Sequence, residues 1–257
     1  MAVDLSATTL GALAIAAFVA GTIDAIAGGG GLVTFPALIA AGLPPHIALG
    51  TNKGQSVFGS GASLASFVRA GKVHGGRALG AFPAGFLGAL AGARLVLVVP
   101  KEVLRPVVMV LLVMVAAFLA LRRGGSTPTA RVPERYHVLA STIIGFVIGA
   151  YDGFFGPGTG TFLIIAGVGL LGESLTEATA NAKVVNFASN LASMILFALK
   201  GVILWKVSLT MAVGQFLGGA LGARLAVRGG ERVIRVVVLV VVTALVAKLG
   251  FDLLQSR

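Results

Sequence analysis

The sequence predicts an all-α protein, a polytopic transmembrane helical bundle of two sequence-related halves with broken or re-entrant helices. Three observations lead there. Hydrophobic residues make up 57% of the chain and charged residues 11%, against about 25% charged in a soluble domain. Apolar runs of roughly 18 residues, enough to cross about 30 Å of hydrocarbon, recur along its whole length. The motifs of residues 1–121 also return, in the same order, in residues 138–257.

The long apolar runs fall at about 10–27, 47–68, 78–99, 106–121, 138–152, 178–199, 207–227 and 236–254. Two shorter pieces, 31–43 and 160–171, are too short to span untilted. The first run has the apolar length of a secretory h-region. No Lys or Arg precedes it and it contains Asp24, so a retained helix is expected. The net charge of +11 sits largely in short connections: RAGKVHGGR (69–77), RRGGSTPTARVPER (122–135) and RGGERVIR (228–235). That is the positive-inside pattern, and it makes residues 122–137 a polar cytoplasmic linker between two transmembrane repeats. No connection is long enough to fold as a nucleic-acid-binding domain, so the expected partners are the bilayer and a small solute. Self-association into a homo-oligomer stays open. The chain has no cysteine, and His46, His74 and His137 all lie in connections. No metal centre, no cofactor and no catalytic residues are therefore expected, and the protein is not read as an enzyme.

The repeat is specific. GTIDAIAG (21–28) matches GAYDGFFG (149–156), which places Asp24 on Asp152 at an offset of 128 residues. FLGALAGARL (86–95) matches FLGGALGARL (216–225) at an offset of 130, and Lys53 falls on Lys183 at that same offset. Each half then reads as a helix with Asp near its end, a Gly-rich break, a short apolar piece and three long helices. Broken helices at corresponding places in two repeats point to a transporter's binding site, because irregular backbone at membrane depth needs protein or a water-filled cavity around it. If the short piece returns the chain across the membrane the halves are inverted; if helix and short piece cross once they are parallel. Both topologies leave the same excess of Lys/Arg on one side. Inverted repeats are favoured, because a segment interrupted by four glycines makes a poor single crossing.

Ionisable groups inside a span cost at least about 2.5–3.5 kcal/mol, and Asp24, Asp152, Lys53 and Lys183 carry that cost in both halves. One explanation is a duplicated brace, Asp24 with Lys53 and Asp152 with Lys183. The other is a solute path. Lys53, Ser56, Ser60 and Ser63 share one helical face, as do Lys183, Asn186, Asn190 and Ser193. Close helix packing explains the small residues of these stripes but not a lysine heading each. On the path interpretation Lys53 and Lys183 attract an anion, and Ser56, Ser60, Asn186 and Asn190 hydrogen-bond it. The breaks, Gly29, Gly30 and Gly31 in one half and Gly158, Thr159 and Gly160 in the other, would offer it free N–H groups at helix N-termini. Asp24 and Asp152 are the candidates for proton coupling. Arg94 and Arg224 read as headgroup-facing helix ends.

These motifs resemble the sulfite exporter TauE/SafE family, also called the toluene-sulfonate uptake permease superfamily. The similarity lies in DAIAGGGGL (24–32) with Pro36, ALGTNK (48–53), YDGFFGPGTGTF (151–162), ANAKVVN (180–186) and GQFLG (214–218). It looks closest to the branch labelled "probable membrane transporter protein". The GPGTGT segment carries more hydroxyls than that pattern's alanine-containing versions. The resemblance implies a secondary transporter moving sulfite, an organosulfonate or a related sulfur-containing or carboxylate anion across the bacterial inner membrane. The alternative from another class is a channel-like or structural subunit of a larger membrane complex.

Overall fold

The computed structural model describes residues 5–121 and 130–255. The elements are α1 (Ala7–Ala27), α2 (Gly31–Ala40), α3 (Pro45–Arg69), α4 (Gly75–Val98) and α5 (Lys101–Leu121). After a 3₁₀ turn (Glu134–Tyr136) come α6 (His137–Phe154), α7 (Thr159–Leu171), α8 (Leu175–Leu199) and α9 (Trp205–Gln255). No β-strand occurs among the described residues. The last helix is two arms joined at Gly230, whose φ of 55° interrupts it, so the second half repeats the five-part order of the first. The expected linker is described only from Ala130; residues 122–129 lie outside the described residues.

Local chemistry accounts for the element boundaries. Ser6 caps α1 by accepting from Thr9 N, and Ser174 with Glu177 forms a reciprocal capping box on α8. The two breaks fall where the glycines permit positive φ: Gly28 (75°) and Gly29 (89°) after α1, Gly156 (97°) and Gly158 (86°) after α6. The short helix α2 begins at Gly31, where the first short apolar piece begins. By length and composition α1, α4, the 134–154 segment and α8 can each cross a membrane. The equally long α3 is less apolar because it carries Thr51, Asn52, Lys53, Gln55, Ser56, Ser60 and Ser63. The protein is a multi-pass membrane protein.

Packing interleaves the halves. Cβ atoms added at Gly145 and Gly149 of α6 would lie 2.9 Å from the Ala81 carbonyl oxygen and 2.6 Å from that of Gly85, so α4 and α6 run side by side in the same direction. In the same way Gly214, Gly218 and Gly222 of α9 meet the carbonyls of Ala14, Phe18 and Thr22 of α1. Small residues let backbones approach this closely where lipid supplies no hydrophobic drive. The start of α3 (Ala48, Leu49) shares an apolar cluster with the end of α8 (Phe197). The end of α3 (Phe67) clusters with the start of α8 (Ala180). These two central helices therefore run in opposite directions, with their polar stripes between the two apolar ends.

Candidate functional site

Both lysines sit mid-helix and both aspartates sit in the last turns before a break, so each break brings a carboxylate to the level of the stripes. The partners differ from those the repeat suggests. Lys53 Nζ lies 2.8 Å from Asp152 Oδ1, and Lys183 Nζ lies 2.9 Å from Asp24 Oδ2. Each ion pair joins one half to the other; the brace within a half, Asp24 with Lys53 and Asp152 with Lys183, is not what forms. The interleaved packing causes this, since α1 lies against the second half and α6 against the first.

Around the pairs the groups divide. Asp152 accepts on Oδ1 from Thr159 Oγ1 at 2.8 Å and on Oδ2 from Ser189 Oγ. Lys53 also donates to Asn190 Oδ1 at 3.2 Å, and Asn190 Nδ2 reaches Ser60 Oγ at 3.4 Å. Asp24 accepts on Oδ1 from Gly30 N at 3.1 Å, and its own carbonyl accepts from Lys183. The two breaks touch. A Cβ at Gly28 would lie 2.7 Å from Gly160 Cα, and Thr161 Oγ1 donates to the Ala27 carbonyl at 3.1 Å.

A cavity of about 30 Å³ lies among these groups. Asp24, Gly29, Gly31, Lys53, Ser56, Asp152, Thr159, Gly160, Asn186 and Asn190, all candidates from the sequence, line it. Others fall elsewhere. Gly30 acts through its bond to Asp24, Ser60 through Asn190, and Lys183 lies behind Asp24 with no exposed side-chain area. Gly158 instead faces Val115 of α5. Ser63 turns away to the Gly59 and Gly219 carbonyls, and Arg94 and Arg224 are exposed. Asn52, Gly156 and Gln215 complete the lining, and Ser189 holds Asp152. Comparing the repeats misses Asn52, Ser189 and Gln215, because Ala182, Gly59 and Gly85 stand at the matching positions.

Two contact clusters lie outside the lining of this cavity. In the first, Phe35 meets Phe155 edge-on at 6.1 Å, and Tyr151 meets Phe155 at 6.1 Å and Phe162 at 5.4 Å. In the second, Arg77 pairs with Glu173 at 2.6 Å and reaches His137 Nδ1 at 2.7 Å. His137 Nε2 in turn reaches the Val132 carbonyl at 2.9 Å. A guanidinium can only donate, so Nδ1 accepts and Nε2 carries the hydrogen. This polar knot ties the end of the linker to α4 and the α7–α8 connection. Among the described residues no group of His, Asp and Glu could hold a metal ion.

The family model described as "Sulfite exporter TauE/SafE" matches residues 13–249. The chain belongs to the sulfite exporter TauE/SafE family. It is 41% identical over 97% of its length, and 95% of the relative's, to "Probable membrane transporter protein ORF9" of Sinorhizobium sp. It is 40% identical to "Probable membrane transporter protein YfcA" of Escherichia coli (strain K12), covering 96% of this chain and 92% of the other. A "Probable membrane transporter protein" of Haemophilus influenzae is 38% identical over 97% of both chains. No solved structure matches the chain. This TauE/SafE protein is thus a membrane transporter.

Proposed function

We propose that this TauE/SafE protein is a proton-coupled secondary transporter of a small anion, such as sulfite, an organosulfonate or a related sulfur-containing or carboxylate anion, in the bacterial inner membrane. The observation that carries this is the crossed pairing of two lysines and two aspartates around one cavity. Two positive and two negative side chains sum to zero, so the paired site does not attract an anion. Protonating one aspartate removes its charge and leaves a lysine without a counter-ion. An anion then has a partner it lacked before. Anion and proton bind together for that reason, and the bound complex is as neutral as the empty site. Neutrality in both states matters because an unpaired charge at membrane depth costs several kcal/mol.

Size supports a moving site. About 30 Å³ is the space of a water molecule rather than of a sulfur oxyanion. We take the aromatic contacts and the Arg77–Glu173–His137 knot to be the contacts that part when a solute enters. We read the halves as inverted repeats, an interpretation supported by the opposite directions of α3 and α8, and the linker as cytoplasmic. Inverted repeats around a midplane site allow alternating access by rocking one half against the other.

The test is uptake of sulfite, sulfate, methanesulfonate and acetate into proteoliposomes of the purified protein, with and without a pH gradient. Saturable flux of at least one anion, accelerated when its entry runs with the proton gradient, is expected. Flux that neither saturates nor responds to the gradient would make the protein a channel. No flux of any of the four would remove the small-anion proposal.

A further inference from the structure

The two ion pairs are related by the repeat, yet their surroundings differ. Asp152 is held by three side chains, Lys53, Thr159 and Ser189, and is 6% exposed. Asp24 has one side-chain partner, Lys183, with one backbone N–H, and is 20% exposed. The difference is written in the sequence. The positions matching Thr159 and Ser189 in the first half are Gly31 and Gly59, which have no hydroxyl to offer.

A second asymmetry lies beside the looser pair. Gln215 and Asn186 are 3% and 4% exposed and line the cavity with Asp24. Gln215 Oε1 and Asn186 Oδ1 are buried without any hydrogen-bond partner. A buried polar atom left unpartnered costs about 1–3 kcal/mol, so such atoms call for an explanation. Gln215 Oε1 packs against Gly21, one turn before Asp24: a Cβ there would lie 3.0 Å away. Asn186 shares Gly160 with Lys183; a Cβ on that glycine would be 3.0 Å from Asn186 Nδ2 and 3.5 Å from Lys183 Nζ. Two unpartnered amides and a lysine therefore converge around the one aspartate that is weakly held. A carboxamide presents two N–H donors when it turns over, which suits the oxygens of an oxyanion.

From these observations, and resting on the anion-carrier proposal above, we infer that the two pairs have separate roles. The Asp24–Lys183 pair is the one that opens: Asp24 takes the proton, and Lys183 with the amides of Asn186 and Gln215 takes the anion. The Lys53–Asp152 pair stays closed as a brace between the halves. The charged groups facing Asp24 are few. Lys183 of α8 is bonded to it, and Lys53 of α3 and Asp152 of α6 border the same cavity. The sequences of α2 and α7 contain no charged residue, and α9 presents Gln215.

The experiment is binding of methanesulfonate to the purified full-length protein in weak buffer, with pH recorded. Methanesulfonate is the anion of a strong acid, so any proton taken up goes to the protein. Wild-type protein is expected to take up one proton per anion bound. Asp24→Asn should bind with no proton uptake, while Lys53→Met/Asp152→Leu, which replaces both charges of the brace by apolar side chains, should keep the uptake. Should that variant fail to fold, Lys53→Gln/Asp152→Asn removes the same two charges with polar side chains and should keep the uptake as well. Gln215→Met and Asn186→Leu are each expected to bind about tenfold more weakly, roughly 1.4 kcal/mol, with an unchanged or raised melting temperature because an unpartnered polar atom has been removed. Proton uptake that survives Asp24→Asn overturns the assignment. So does uptake lost when both charges of the brace are removed together, or a Gln215→Met protein that binds normally and melts lower. A wild type that binds anion without taking up a proton overturns the proton role of Asp24 while leaving anion carriage intact. A wild type that binds none of methanesulfonate, sulfate or sulfite defeats the anion-carrier proposal itself.

Discussion

Replacing Lys53 with methionine should lower the stability of the protein by about 3–5 kcal/mol, the loss expected when one partner of a buried ion pair is removed. The stranded carboxylate of Asp152 is 6% exposed, and its remaining donors, Thr159 and Ser189, are neutral. In a chain of this size such a loss is on the order of a 10 °C fall in melting temperature, readable by thermal unfolding in detergent. The double change Lys53→Met/Asp152→Leu should recover most of it, because apolar side chains of similar volume replace a buried pair at little net cost. Thr159 and Ser189 keep acceptors in that variant, the carbonyls of Gly156 and Asn186. Equal melting of the single and double variants would show that the pair contributes no coupling between the halves.

Gly28→Ala should have the largest effect on transport of any single methyl group. Its φ of 75° and ψ of 173° lie in a region essentially confined to glycine, where a side chain costs about 1–3 kcal/mol. The added Cβ would also meet the backbone of Gly160 and Thr161, where the two breaks touch. Backbone cannot rotate away as a side chain does. The break carrying Asp24 must therefore shift against the break carrying Thr159, and Lys183 loses its position between them. Transport is expected to fall at least about a hundredfold, the scale of a 1 Å misplacement in an organised site. Gly42→Ala is the control: its φ is 89°, yet nothing lies within 4 Å of the new methyl. It should carry the backbone strain alone and transport near the wild-type rate. Equal impairment of both variants, measured by anion uptake in proteoliposomes, would show that strain rather than the contact of the breaks is responsible.

Much of this architecture was legible before any coordinates. Hydropathy is a local property of the chain, and the apolar runs matched the helices to within a few residues even where Gly and Pro interrupt them. The glycines at 28–29 and 156–158 marked the breaks because positive φ is also a local demand. The duplication drew attention to Asp24, Lys53, Asp152 and Lys183, since chance does not place charges twice inside apolar spans. Gln215, Asn52 and Ser189 stayed hidden for the converse reason. Each stands opposite a glycine or alanine in the other half, so the repeat does not single it out, although Asn52 and Gln215 lie within the motifs that carry the family resemblance.

The sequence by itself determined the membrane class, the helices, the two halves and the four charges within the spans, because hydropathy, backbone permission and repetition all act between near neighbours. Only the tertiary structure decided which charge meets which. Along the chain Asp24 is closest to Lys53, but glycine seams draw α1 onto α9 and α4 onto α6, and each carboxylate is carried to the lysine of the other half. That choice depends on how closely backbones distant in sequence approach, and it makes one cavity out of two repeats.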